Sequence, residues 1–369
     1  MRAIGLMSGT SFDGVDVALV ETDGERIERL GPSGFHPYRP EQRALLSRAL
    51  GEATAITDRA ARPGVVAEAE AIVNDAHRMA VQGFLAEHGV PASEIDVVGF
   101  HGQTVLHRPD QKLTVQIGDG PALARALGRP VVYDFRAADV AAGGQGAPLA
   151  PTIHPVLVRG LDLPRPLAVL NLGGVGNVTF IGEEDASRRP ELVAFDTGPA
   201  NALMDDRLSR EIGRAYDEGG RLAAGGMVDQ AALSALMDHP YFAKSPPKSL
   251  DRNAFDASPT EALPLADALA TLAAFTAESV ARGAKHLPAR PALWVVAGGG
   301  ARNATLLAML RERLGAEVKT ADEVGLNAGA IEAQAFAVLA VRSLKGLPLT
   351  YPGTTGAPRP MTGGVLAQP

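Results

Sequence analysis

The stretch Gly5-Leu6-Met7-Ser8-Gly9-Thr10-Ser11-Phe12-Asp13-Gly14-Val15-Asp16 gathers small residues, hydroxyls and two carboxylates within a few positions. Small residues at 8–11 let the backbone come close to a ligand, with N–H groups and two hydroxyls available for phosphate oxygens. The acids that follow can act on a metal ion or a water. A plain hairpin turn that needs glycine satisfies the same spacing. Val295-Val296-Ala297 runs into Gly298-Gly299-Gly300 and on through Ala301-Arg302 to Asn303. Three consecutive glycines exceed what a strand–helix connection needs, and they permit an adenine or ribose to lie on the backbone. Phe195-Asp196-Thr197-Gly198-Pro199-Ala200-Asn201 sets a carboxylate at the end of an apolar run. That is a place for a general base facing a cleft, and equally for a helix cap.

A second group of segments offers neutral hydrogen-bonding side chains and one cation beside glycine turns: His101-Gly102-Gln103-Thr104, Asp134-Phe135-Arg136 and Gly143-Gly144-Gln145-Gly146. Such groups suit a polar sugar carrying a carboxylate, with Arg136 as the anion partner. Taken singly, each also fits a structural role. Glu332, in Asn327-Ala328-Gly329-Ala330-Ile331-Glu332, reads as a cleft acid or as a residue on a solvated helix face. No G-x-x-x-x-G-K-[ST] loop occurs, and no G-x-G-x-x-G follows a strand, so neither a Walker A loop nor a Rossmann fingerprint is present. The eight histidines show no H-E-x-x-H or comparable ligand spacing.

These residues need strands and helices to hold them. Residues 2–8 and 15–21 read as strands flanking the first turn. Leu167–Asn171 and Asn177–Ile181 flank a second glycine turn containing Gly173 and Gly174, an echo that a duplicated fold with two phosphate-facing hairpins would produce. Further strands are expected at 95–100, 130–134, 192–195 and 292–297. Helices are expected at 40–50, 63–89, 200–212, 264–286, 301–314 and 327–345. The segment 242–260 reads as a long loop and 346–369 as irregular coil. The mixture is that of an α/β protein. With 369 residues two domains are the expectation, divided near residue 150 into 1–150 and 151–369, with a terminal helix free to cross back.

Composition removes several classes of function. Lys and Arg total 35 against 42 Asp and Glu, a net charge of −7 with no long basic run, which disfavours tracking a nucleic acid. The absence of cysteine excludes disulfides and thiol chemistry. No stretch approaches the roughly 20 apolar residues of a membrane span, and the N-terminus lacks the pattern of a signal peptide. A soluble cytoplasmic protein is the expectation.

In order along the whole chain, these motifs resemble the anhydro-N-acetylmuramic acid kinase family: Gly-Leu-Met-Ser-Gly-Thr-Ser-x-Asp-Gly-x-Asp, His-Gly-Gln-Thr, Asp-Phe-Arg, Gly-Gly-Gln-Gly-Ala-Pro-Leu, Asn-Leu-Gly-Gly, Phe-Asp-Thr-Gly-Pro, Gly-Gly-Gly-x-x-Asn and Glu-Ala-Gln-Ala-Phe-Ala. The resemblance implies a two-domain actin-like ATPase (ribonuclease H-like) fold of the sugar-kinase superfamily, with ATP and Mg²⁺ in the interdomain cleft. It implies that water opens the 1,6-anhydro bridge of the sugar while the freed 6-oxygen takes the γ-phosphoryl of ATP. Asp196 then becomes the base that activates water. Gly9, Thr10, Ser11, Phe12, Asp13, Gly14, Val15, Asp16, Gly173, Gly174, Gly298, Gly299, Gly300 and Asn303 become nucleotide contacts. His101, Gln103, Arg136 and Glu332 become sugar contacts. A homodimer and a role in peptidoglycan recycling rest on the same resemblance.

Some positions depart from the pattern. Ala200 stands where Gly is expected, Gly176 where Ala or Ser is usual, and Asn327-Ala328-Gly329 where a more acidic run is expected. Met7 sits where many superfamily kinases carry an Asp that organises magnesium, leaving Asp13, Asp16 and Asp196 as routes to the ion through waters. The alternatives are another sugar kinase on the same fold, and an ATP-gated binding protein of the actin/Hsp70 kind.

Overall fold

A computed structural model describes residues 1–369 apart from Thr10, 185–189 and 251–253. The chain divides into two compact units, Met1–Gly160 with Ala330–Pro369, and Leu161–Gly329. The sequence reading draws its boundary near 150; in the structure the first unit runs on to Gly160 and takes back the last forty residues of the chain, terminal helix and tail together.

The first unit is built on a seven-stranded sheet. Its strands are β1 (Arg2–Ser8), β2 (Gly14–Thr22), β3 (Ile27–Pro37), β4 (Val97–Arg108), β5 (Leu113–Ile117) and β6 (Val131–Tyr133), closed by the C-terminal strand Val365–Ala367. β1, β2 and β3 form an antiparallel meander, while β4 and β6 continue from β1 in parallel. Helix Val66–Glu87 covers one face with Val66, Ala69, Val73, Ala76, Ala80 and Phe84, a three-to-four-residue stripe. The other face carries helix Ile331–Leu344. Gly5 and Gly99 are paired in register across β1 and β4, and a Cβ on either would fall within 1.8 Å and 2.1 Å of the carbonyls of Ala333 and Phe336. These two glycines are the seat on which the helix lies. β3 and β5 went unseen in the sequence because β3 is largely exposed along its length and shows no alternation. The tail, read as coil, instead pairs antiparallel with β6 through Val365–Ala367. An open sheet edge recruits that strand, and the Gly/Pro-rich composition of the tail does not advertise it.

The second unit has a five-stranded sheet of β7 (Leu167–Leu172), β8 (Val175–Glu184), β9 (Pro190–Pro199), β10 (Leu293–Ala297) and β11 (Glu317–Thr320), in the order β11-β10-β7-β8-β9. β7, β8 and β9 are antiparallel, and β10 and β11 run parallel to β7. The first sheet contains the same sequence of neighbours and senses, β6-β4-β1-β2-β3. One ribonuclease H-like arrangement has therefore been used twice, as in actin-like ATPases and sugar kinases. Helix Leu265–Ala284 is buried nearly all round and packs on β9, where a Cβ on Gly198 would meet the Ser279 side chain at 2.7 Å.

Candidate functional site

In the first unit the β1–β2 turn is fixed by side chains. Ser8, 1% exposed, donates its hydroxyl to Gln103 Oε1 at 2.5 Å and lies 3.0 Å from the Tyr38 hydroxyl. Gln103 Nε2 donates to the Gly9 carbonyl at 3.1 Å, so one fully buried amide ties the turn to β4. Phe12 takes a left-handed backbone (φ 53°), its N–H reaching the Gly9 carbonyl, and its ring is buried. Asp13 is exposed; its Oδ1 accepts from Ser11 Oγ and from the Gly14 N–H. Gly14 has to be glycine, since a Cβ there would stand 2.4 Å from the His36 carbonyl. Val15 is wholly buried in the core, so its side chain cannot meet a nucleotide. A Cβ on Gly9 would meet only the Ser11 hydroxyl, at 3.6 Å. Thr10 lies outside the described residues.

Asp16 sits half-buried on β2, in register between Met7 and Phe35. Burial pushes its carboxyl up to about 7, with the charges of Asp13 and Glu332 adding to the effect. Glu332, in the first turn of helix Ile331–Leu344, is raised by lost hydration and by Asp13, against the pull of Arg136. Its side chain remains exposed, so water screens part of that effect. Three carboxylates and one guanidinium thus share an electrostatic neighbourhood.

Arg136 is half-buried and held from two sides. Nη1 donates to the Gly146 carbonyl at 2.8 Å, while Nε and Nη2 lie 3.3 and 3.0 Å from His101 Nε2. A guanidinium can only donate, so His101 accepts and carries its proton on Nδ1. Burial first, then the Arg136 charge, hold that imidazole well below its ordinary range. Arg136 itself is lowered by burial to about 10, opposed by Glu332 and Asp139. His101 and Gln103 are thereby placed behind the residues that could touch a sugar: His101 supports Arg136, and Gln103 supports the turn. Asp139, absent from the sequence reading, is a buried carboxylate that accepts from the Gly146 N–H at 2.6 Å and from the hydroxyls of Thr350 and Thr355. It ties the Gly143–Gly146 turn to the C-terminal tail.

In the second unit the equivalent turn is fixed by backbone. The Gly174 carbonyl accepts from the N–H of Ala200 at 3.0 Å and the Gly173 carbonyl from that of Asn201 at 2.9 Å, while Asn201 Nδ2 donates to the Leu172 carbonyl. Ala200 has no left-handed backbone, so the departure from Gly is free of strain. Gly176 has a reason to be glycine, since a Cβ would lie 2.8 Å from Thr197 Oγ1. Of the three glycines after β10, Gly298 (φ 77°) presses on Asn171 and Leu172, and Gly300 presses on Leu172. Gly299 alone is exposed, with nothing nearer to a Cβ than Asn201 Nδ2 at 3.5 Å. Asn303 is buried and caps helix Ala304–Leu314 by accepting from the Leu306 N–H at 3.0 Å.

Asp196 lies half-buried on β9 opposite Asn177. Its Oδ2 accepts from the Leu250 N–H at 2.7 Å, its N–H donates to the Lys248 carbonyl at 3.0 Å, and its carbonyl accepts from the Tyr241 hydroxyl. Burial pushes the carboxyl up to about 7 against the lowering effect of the Leu250 bond. Sequence reasoning offered either a base or a helix cap. No capping bond from this side chain starts helix Ala202–Ile212, whose N-cap position is Asn201. Tyr241 and Lys248 went unnoticed because they sit in a segment whose composition signals only loop.

A family model described as anhydro-N-acetylmuramic acid kinase matches residues 1–369. The chain is 55% identical over 370 residues to the anhydro-N-acetylmuramic acid kinase of Bradyrhizobium diazoefficiens, covering 100% of both chains. It belongs to the anhydro-N-acetylmuramic acid kinase family, a family of phosphotransferases. Other members named likewise, from Rhodopseudomonas palustris (strain BisB18) and Azorhizobium caulinodans, are 57% and 58% identical, again over 100% of both chains. Among solved structures, a ROK family glucokinase from Streptomyces griseus in complex with glucose and AMPPNP is 14% identical, with a TM-score of 0.41 and coverage of 92% of this chain and 99% of that one. The fold assignment rests on the repeated strand order rather than on that likeness. Among the described residues no helix is long and apolar enough to cross a membrane.

Proposed function

We propose that this chain hydrolytically opens 1,6-anhydro-N-acetylmuramic acid and phosphorylates its 6-oxygen with ATP, giving N-acetylmuramic acid 6-phosphate and ADP. The observation that carries the reading is the family match along all 369 residues. Asp196 takes a proton from water as the water oxygen bonds to the anomeric carbon. The bond from that carbon to the 6-oxygen breaks, and the 6-oxygen bonds to the γ-phosphorus as the bond to ADP breaks. A carboxyl near 7 suits this task, being about half ionised at neutral pH and basic enough to hold the proton in the transition state. Arg136, oriented by Gly146 and His101, pairs with the carboxylate of the sugar. The turn at 9–14, Gly173, Gly174 and Gly299 offer backbone to the nucleotide, while Gly298, Gly300 and Asn303 shape that surface.

Mg²⁺ is part of this proposal. Asp13 and Asp16 are hard oxygen donors whose mutual repulsion helps raise Asp16, a cost a divalent cation relieves. Among the described residues no three acidic or imidazole groups converge as direct ligands, which suits an ion that keeps several waters and binds phosphate. When bound, the ion would neutralise charge on the β- and γ-phosphates. Cytoplasmic location, a homodimer and a place in peptidoglycan recycling follow from the family resemblance.

The test is incubation with ATP, Mg²⁺ and the anhydro sugar in ¹⁸O-water, for wild type and Asp196→Asn. One ¹⁸O at the anomeric carbon of a 6-phosphate, with turnover about 10²–10⁴-fold lower in the variant, is expected. ATP consumption without that product points to a different sugar kinase on the same fold.

A further inference from the structure

The segment after helix Gln230–Met237 carries a lysine in an unusual setting. Lys248 is 7% exposed, and its ammonium lies 4.6 Å from the Tyr241 ring centroid and 5.7 Å from that of Phe195. An ammonium taken out of water is costly, and two aromatic faces recover part of that cost. The backbone on either side of this anchor is what holds Asp196. The Lys248 carbonyl accepts the Asp196 N–H, and two residues on, the Leu250 N–H donates to Asp196 Oδ2. Tyr241 closes the loop, with its hydroxyl on the Asp196 carbonyl and its ring under the ammonium.

We propose that Lys248 is a positioning residue for the Asp196 base: gripped by Tyr241 and Phe195, it pins the strap 248–250 so that the Leu250 N–H stays on the carboxylate and fixes its orientation. This rests on the reading of Asp196 as the base that activates water. The strap also tunes the working pH of that base, because the Leu250 bond favours the ionised form. The Leu250 bond does lower Asp196, and burial followed by the Lys244 charge lowers Lys248 itself. The charged and titratable groups around the anchor are Tyr241, Lys244 and His286.

The test is the pH profile of kcat for Lys248→Met, which keeps an apolar stem of similar length and removes the charge. Expected are a fall in kcat of about tenfold, KM for ATP and sugar unchanged, and an acidic limb displaced to higher pH. Lys248→Arg, which can stack on the same rings, returns the limb toward wild type. Tyr241→Phe keeps the ring and removes only the hydroxyl bond; it gives a smaller displacement in the same direction and serves if Lys248→Met does not fold. A folded Lys248→Met with an unmoved limb, or with a raised KM and normal kcat, overturns the proposal while an inactive Asp196→Asn leaves the base reading standing. An active Asp196→Asn overturns both.

Discussion

The two units share a strand order, yet they hold their glycine turns by different means. In the first, the turn between β1 and β2 hangs on side chains: Ser8, Gln103 and Tyr38 form a buried polar network beneath it. In the second, the turn between β7 and β8 hangs on backbone, its glycine carbonyls taking the N–H groups of Ala200 and Asn201. The charged groups divide accordingly. Asp13, Asp16, Glu332 and Arg136 belong to the first unit, while Asp196 and Lys248 belong to the second. A side-chain network is specific but leaves buried polar atoms stranded when one member is lost, whereas a backbone network tolerates changes of side chain.

The largest effect should come from the helix seat of the first unit. Gly5→Ala drives a Cβ into the Ala333 carbonyl, with backbone on both sides, and is expected to cost about 3 kcal/mol or more. Urea unfolding measures it. In the second unit Gly198→Ala meets a side chain first but also needs φ 158°, near the edge of the left-handed region, and should cost less. Equal losses would show that the two seats are alike after all.

Next comes the contrast of turn networks. Gln103→Leu removes one partner each from the Ser8 hydroxyl and the Gly9 carbonyl and buries an apolar group among polar ones, for an expected loss of about 1–3 kcal/mol and a raised KM for ATP. Ala200→Gly in the second unit leaves its backbone bonds in place and should move stability by less than about 1 kcal/mol. A neutral Gln103→Leu would remove the distinction between the two turns.

A pH test separates the buried Asp196 of the second unit from the clustered acids of the first. The Asp196 carboxyl stands at about 7 in the folded protein against 3.8 for a free aspartate side chain. The folded state therefore holds a proton that the unfolded chain has released, and stability is lost as pH rises through that window. Asp196→Asn escapes this loss, so its Tm relative to wild type should be more favourable at pH 8 than at pH 4. A difference independent of pH would mean the carboxyl is not raised.

The smallest change in stability belongs to Gly299→Ala, which enters open space and should stay within about 0.5 kcal/mol while raising KM for ATP. Gly300→Ala, crowding Leu172, should instead lower Tm.

Much of this was legible beforehand where a residue's local chemistry carries the signal. The paired hairpins showed because glycine turns between apolar runs have a period and punctuation of their own. Helix Val66–Glu87 showed because its buried stripe repeats at helical spacing. β3 did not, because an exposed edge strand has no such pattern, and Val365–Ala367 did not, because its strand character comes from β6 alone. Gln103 and His101 read as ligands from their polarity; that both are buried, with Gln103 bonded to Ser8 and Gly9 and His101 Nε2 facing Arg136, is something only packing shows.

The sequence by itself determined the family, the α/β class, the two glycine turns and the carboxylate at the end of β9, since these follow from residue type and spacing within short stretches. Tertiary structure alone decided that the terminal helix returns to lie on Gly5 and Gly99, that Asp139 ties a glycine turn to the tail, and that the backbone at Lys248 and Leu250 holds Asp196. Each of these joins residues far apart in the chain, and such partnerships depend on which surfaces are buried together, a property that no local pattern records.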